Sequence, residues 1–351
     1  MPALRELRFK GVDLSALVTA WGAIEQIKDV LLVTAQAMTS EMSVEVANRG
    51  SMFASGGVSS LVSGMDWYNA PLQVSVDGEV VFDGLVKNVR LSATGQTATI
   101  VSENILKRPA EATMSYATPG ANPGDAMLGV LAAAGIAAEY VDAASFSRAG
   151  VPARQAGAKI VAAYAAGSST GALSALQGIG DLASISVFVL NNRITARGFL
   201  PYEGSEAGLR YELNDGNVRE WGDREFDTSA FNNRVSVGYP VGLFVVQDDL
   251  AARRSTGVVR NLDFPATGAV YAADRASAAF FAGVYLQRAA PRKMLLPIAG
   301  GREFANIVIG DRFPVTNARL GLSRFPMEAI EIRRSLDTEE VELRLASLGP
   351  T

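Results

Sequence analysis

Between residues 70 and 104 apolar and polar positions alternate in a pattern that organises the rest of the chain. Leu72, Val74 and Val76 are separated by Gln73, Ser75 and Asp77, the period of two that turns one strand face to a core and the other to water. Asp77-Gly78 then falls between two β-rich runs. It reads as a two-residue hairpin, because glycine takes positive φ without steric cost. Residues 80–82 lead to Asp83-Gly84, residues 85–91 lead to a polar turn over 92–96, and residues 97–101 return. The pattern predicts an antiparallel meander of three to four strands.

Similar alternation closes the chain. Ile330 and Ile332 alternate with Glu331 and Arg333, a turn is predicted over 336–338, and Val341, Leu343 and Leu345 alternate with Glu340, Glu342 and Arg344. The interval between the two stretches is too long for a solenoid repeat. It suits two related β domains flanking an insertion, with the plainer alternative that any two meanders look alike. Further strands are predicted over 4–14, 29–36 and 42–46, and over 211–213, 233–239, 243–247, 294–298 and 305–309. A Gly/Ser-rich stretch over 49–65 reads as a long irregular loop.

Helical spacing enters only in the middle. Asn122 as cap, Pro123 at the first helical position, Asp125 in the first turn and Gly135 at the end punctuate one helix. Leu173, Leu176, Ile179 and Leu182 mark a second over 170–183, with Ser169 or Thr170 as cap. A hairpin follows, 185–190 and 193–198, turning at Asn191-Asn192. A third helix is predicted over 271–286, with Tyr271, Ala278, Phe281 and Tyr285 inward, whereas 143–167 gives no assignment. The fold class is therefore mostly β with an α+β insertion: a first barrel or sandwich domain over 1–110, a small α+β domain over 111–208, and a second β domain with one helix over 209–351.

Composition then narrows the chemistry. The 351 residues are 48% hydrophobic and 19% charged, a folded composition, and include neither cysteine nor histidine. Disulfides, thiolate metal sites, Ser–His–Asp triads and most zinc or copper sites are thereby excluded. No cofactor and no metal site is assigned. A net charge of −4 argues against a surface that holds phosphates by bulk positive charge. No run is long enough for a membrane span, and the first residues lack the order of a signal peptide, so synthesis in a cytoplasm without export is expected.

Paired carboxylates are the remaining common catalytic apparatus. The candidates are Asp248-Asp249, Glu339-Glu340 and the group Asp223, Glu225 and Asp227. Asp248-Asp249 reads more simply as an exposed loop or helix start, and Glu340 belongs to an alternating strand, so no catalytic residue is assigned. The Gly-rich pieces lack the Gly-Lys-Ser/Thr ending of a phosphate loop. The basic clusters Arg253-Arg254, Arg288/Arg292/Lys293 and Arg333-Arg334 mix with acids and lack interleaved aromatics for stacking bases.

The order of these parts, with LSALQGIGDLASISVFVLNNRITARGF over 173–199 and IVIGDRFPV over 307–315, resembles bacteriophage tail hub proteins. In that family a helix precedes a hairpin like 186–197, and the closing β domain is similar to 307–347. The resemblance implies two tail-tube-like β domains per chain. Three chains would then form a pseudo-hexameric homotrimer that matches a six-fold tube above to a three-fold spike or fibre below. It implies as partners other tail proteins above and below, with DNA or a tape-measure protein passing through the lumen without specific binding. The place of such a protein is the virion. Strands carrying Val80, Phe82, Val89, Leu91, Ile330, Ile332, Val341 and Leu343 are the expected inter-subunit strands, one face buried and the other pairing between copies. The alternatives are a hexameric distal-tail or tube-initiator ring and a carboxylate-based peptidoglycan-degrading tail enzyme.

Overall fold

The computed structural model describes residues 4–27, 40–54, 60–62, 67–164, 171–198, 209–227, 231–266, 268–289 and 293–348, which are 44% strand and 26% helix. The predicted strand over 29–36 lies outside them. The first hundred residues build β1 (Arg5–Phe9), β2 (Val12–Asp13), β3 (Val18–Trp21), β4 (Ala23–Ile27), β5 (Glu41–Ala47), β6 (Pro71–Val76), β7 (Glu79–Leu91) and β8 (Thr97–Asn104). Seven of these form one antiparallel sheet in the order β2-β1-β6-β7-β8-β5-β3. Its buried face carries Leu7, Phe9, Met42, Val44, Leu72, Val74, Val86 and Ile100, so period-two alternation places the core here.

Asp77 and Gly78 both have positive φ, 51° and 83°, as a two-residue hairpin requires. Asp83-Gly84 is not a turn. The strand runs on through it for 13 residues. A Cβ on Gly84 would lie 2.4 Å from the Glu103 carbonyl oxygen and 2.7 Å from the Phe82 ring. The glycine is there for a close approach and not for a reversal.

After a middle segment the chain builds a second sheet from β13 (Glu220–Trp221), β14 (Glu225–Asp227), β19 (Lys293–Gly300), β20 (Arg312–Asn317), β21 (Leu322–Ser335) and β22 (Val341–Ser347). Its path is β13-β19-β22-β21-β20, with β14 also on β19. Leu296, Ile298, Phe313, Val315, Ile332, Leu343 and Leu345 fill its core. The strand predicted over 305–309 is instead a run of turns, in which Ile307 and Ile309 are buried and Asp311 accepts from the Val308 amide at 2.8 Å. The two sheets are joined directly: β4 leaves the first and pairs antiparallel with β21 of the second, Ile24 opposite Arg334 and Ile27 opposite Glu331.

The middle segment supplies α1 (Lys107–Glu111), β9 (Tyr116–Ala121), α2 (Pro123–Ala133), α3 (Ala143–Ala149), α4 (Val151–Gln155), β10 (Ile160–Tyr164), α5 (Ala172–Ala183), β11 (Ile185–Leu190) and β12 (Arg193–Gly198). Asn122 caps α2 by accepting from the Gly124 amide, as its sequence requires. The N-cap of α5 is Gly171, without a side-chain bond; Ser169 and Thr170 lie outside the described residues.

This central core does not end at residue 208. The chain goes on through β15 (Arg234–Tyr239), β16 (Leu243–Asp248), α6 (Leu250–Thr256), β17 (Asn261–Phe264), β18 (Val270–Ala272) and α7 (Arg275–Ala289). Of these, β15 supplies Val235 and Val237, and α7 supplies Ala278, Phe281 and Tyr285, to the cluster that holds Met127, Phe146 and Ile179. The predicted third helix is α7. Ala278, Phe281 and Tyr285 are buried in it, while Tyr271 belongs to β18, paired with β10. The central unit is therefore assembled from two excursions of the chain, one between the sheets and one between β14 and β19.

Candidate functional site

The two sheets repeat one plan. β6, β7 and β8 have 6, 13 and 8 residues, and β20, β21 and β22 have 6, 14 and 7. In each the first strand pairs with the first half of the long one, and the third pairs with the second half. The ladder slips once between Val86 and Asn88 and once between Ala329 and Glu331. Aligned on that slip, the other register breaks also coincide, after Val74 opposite Phe82 and after Val315 opposite Phe325. Val89 then corresponds to Ile332, Arg90 to Arg333, Ile100 to Leu343 and Ala98 to Val341.

The correspondence carries into the next strands without a gap. Val44 opposite Ile100 matches Ile298 opposite Leu343. Trp21 opposite Val44 then matches Trp221 opposite Ile298. Each tryptophan is followed by glycine, Gly22 and Gly222, and both glycines press on the equivalent neighbour. A Cβ would lie 2.2 Å from the Ser43 carbonyl oxygen at Gly22 and 3.0 Å from Pro297 Cβ at Gly222. Nothing in the alternation pattern pointed to these positions. The signal was present as the repeated Trp-Gly dipeptide, in a chain with three tryptophans.

The face of each sheet away from its core carries charged side chains, beside a small buried apolar cluster of Leu295, Ile330 and Ala346 on the second sheet. On the second sheet this face forms a shallow concavity of about 540 Å³ lined by Glu220, Glu225, Glu331, Glu340 and Glu342 with Arg333 and Arg344. Arg344 donates to Glu225 at 2.9 Å, and Arg333 lies 3.6 Å from Glu342. The first sheet shows Lys87 between Glu41 and Glu103 at 3.2 and 2.5 Å. Two half-open strand segments remain on β7. Residues 79–83 have β6 on one side only, and 88–91 have β8 on one side only, with no other backbone partner among the described residues.

No protein-family model matches the sequence, and no curated protein matches it. Solved structures do match, over almost the whole chain. A tail protein from Neisseria meningitidis MC58 matches at 14% identity with a TM-score of 0.61, covering 99% of this chain and 97% of that one. The 43 kDa tail protein of prophage MuSo2 from Shewanella oneidensis matches at 13% with a TM-score of 0.59, covering 99% and 98%. This is a bacteriophage tail-protein fold. A third likeness, at 7% identity and a TM-score of 0.53, covers 97% of this chain and 76% of the E. coli c3393 protein, a component of the type VI secretion system with structural similarity to T4 bacteriophage tail proteins gp27 and gp5.

Within the tail-protein fold the expected inter-subunit residues separate into two groups. Val341 and Leu343 are buried on β22, between β19 and β21. Ile332 is buried and stands between Leu343 and Gln26, and Ile330 is buried at the ladder slip. The backbone edges at Ile332, Val341 and Leu343 are used inside the chain, so pairing there joins the chain's own strands. Phe82 is buried, Val89 half-buried, and Val80 and Leu91 are 52% and 43% exposed; all four lie on the half-open segments of β7.

Of the carboxylate candidates, Glu225 and Glu340 share the concavity of the second sheet, where Arg344 holds Glu225; Asp248, Asp249 and Glu339 are engaged elsewhere. Asp248 accepts from Arg234 at 2.8 Å and from Arg253 at 3.0 Å. The Arg234 hydrogen bond is the leading cause of its lowered pKa, the reverse of what a general acid needs. Asp249 caps α6 through the Ala252 amide, and Glu339 pairs with Arg302 and Arg5. Among the described carboxylates, Asp83 combines a raised pKa, caused by burial, with a place in a cavity. That cavity, of about 670 Å³, is otherwise lined by Arg334, several Asn, Gln and apolar residues with no second carboxylate, and glycoside hydrolysis takes two. Among the described residues no group of three or more Asp or Glu is placed to hold a metal. No described helix is long and apolar enough to cross a membrane. Asp248→Asn and Glu340→Gln are each expected to leave peptidoglycan turnover at the level of the unsubstituted protein in a dye-release assay. Loss of turnover on one of them would restore the enzyme alternative.

Proposed function

We propose that the chain is a structural hub of a phage tail tip or baseplate, located in the virion and without enzymatic activity. The observation that carries the reading is the repeated sheet plan. Each copy supplies two matched wedges, residues 4–104 and residues 209–227 with 293–348, joined by β4 on β21. The central α+β unit, residues 105–198 with 231–289, decorates the pair. Three copies of a two-wedge chain close a ring of six around a channel. That ring meets a six-fold tube on one side and a three-fold spike or fibre on the other, with other tail proteins as partners on both. The acidic polar face of the second sheet suits a lumen along which DNA, or a tape-measure protein, slides without specific binding, since like charge keeps phosphate from sticking.

Native mass spectrometry of the purified protein tests this directly. A particle of three chains is expected. Six chains would favour a distal-tail or tube-initiator ring, and a monomer at every concentration would remove the ring.

A further inference from the structure

Inside one chain the wedges are joined by strand addition, β4 lying antiparallel on 331–335 of β21 with Arg333 opposite Glu25 in register. The coinciding ladders place the same landing edge on the first wedge at residues 88–92. There β7 is paired with β8 on one side and meets no other backbone on the second, among the described residues. The Trp-Gly pairs identify the strand that would land there. Residues 23–27 follow Trp21-Gly22 as residues 223–227 follow Trp221-Gly222. β14 within that stretch is an edge strand, paired with β19 on one side and with no strand on the other among the described residues.

We infer that copies of this chain join by laying residues 223–227 of one copy antiparallel on residues 88–92 of the next, repeating between chains the joint that β4 and β21 make within one. The inference rests on the ring reading and names its inter-subunit joint. Carried over from Ile27 opposite Glu331, the register sets Asp227 against Asn88, Phe226 against Val89, Glu225 against Arg90 and Arg224 against Leu91. Arg90 against Glu225 reproduces the Arg333–Glu25 placement, and opposite charges directly across an antiparallel pair favour this register over a slipped one. Phe226, 54% exposed, and Leu91, 43% exposed, are the large apolar side chains that the joint would cover. An unpaired edge of this kind is otherwise an open template for non-specific pairing. Because a different patch is used on each side, the contact is head-to-tail and must close on itself. Alternating the internal and external joints closes it after three chains.

The native chain has no cysteine, which permits a clean cross-linking test. A variant carrying both Arg90→Cys and Glu225→Cys is expected, on mild oxidation, to give a covalent ladder ending at three chains on a non-reducing gel. Each single variant should give no such ladder. Opposed positions in an antiparallel pair lie within disulfide reach. As a second arm, Arg90→Glu should shift the assembled particle toward single chains at least tenfold in dissociation constant, and adding Glu225→Arg should bring it back. Three-chain particles of the unsubstituted protein without any 90–225 linkage would overturn this joint and leave the ring standing. A linked monomer would overturn the joint as well. Single chains at all concentrations, with no linkage, would remove both.

Discussion

Gly22→Ala is expected to destabilise the folded chain by about 3 kcal/mol or more, against about 1 kcal/mol for Gly222→Ala, because overpacking costs depend on whether the neighbour can give way. At Gly22 the added methyl would lie 2.2 Å from the Ser43 carbonyl oxygen and 2.9 Å from its hydroxyl. That carbonyl belongs to β5, a strand flanked by β3 and β8, so it cannot retreat without disturbing two ladders. Gly22 also separates β3, which serves the first sheet, from β4, which serves the second. The damage therefore falls on the link between wedges. At Gly222 the nearest atom is Pro297 Cβ at 3.0 Å, a contact relieved by a few tenths of an ångström. Urea unfolding of the two variants gives the comparison through their midpoints. Equal midpoints would show that the equivalence of the two glycines extends to their environment, contrary to the geometry described.

Much of this was written in the alternation. The hairpin at Asp77-Gly78, the helix opening at Asn122-Pro123, the hairpin turning at Asn191-Asn192 and the closing strands β21 and β22 follow from local rules on turns, caps and period. Failures came where a residue serves a distant neighbour. Gly84 reads as a turn because nothing local reveals the Phe82 ring and the Glu103 carbonyl against it. Ile307 and Ile309 read as strand because they are apolar and spaced by two, yet they anchor a run of turns in the core. Residues 231–289 share a core with 105–198 although a piece of the second sheet intervenes, and a linear pattern carries no record of which core a strand joins. The half-open edges of β7 follow from pairing partners alone, as do the occupied edges at Ile332, Val341 and Leu343, and period-two alternation carries no record of either.

The other large effect is expected at Asp311. Asp311→Ala should cost about 2–3 kcal/mol, toward the lower end of what breaking a buried ion pair costs, since its arginine partners remain partly in water. The Asp311 side chain is 9% exposed and its partners Arg197 and Arg210 are each 38% exposed. Arg197 donates to Oδ1 at 3.1 Å, and the Val308 amide donates to Oδ2 at 2.8 Å. Arg210 reaches Oδ2 as well. Arg197 belongs to β12 of the central unit, whereas Asp311 precedes β20 of the second sheet, so one carboxylate holds the hairpin of the insertion on the wedge. Arg197 also donates to the Ile309 carbonyl at 3.0 Å, and Arg210 to the Asn306 carbonyl at 2.9 Å; those bonds survive the substitution and limit its cost. Asp311→Asn keeps an acceptor for the Val308 amide and should lose about half as much, since a neutral hydrogen bond replaces a charge-assisted one. A double-mutant cycle with Arg197→Ala separates the ion pair from the turn: a coupling of about 1 kcal/mol or more is expected for groups in direct contact. Additive losses would mean that Asp311 acts through the 307–311 turn alone, and that the central unit is held to the wedge by apolar contacts such as Phe188, which packs into the second-sheet core.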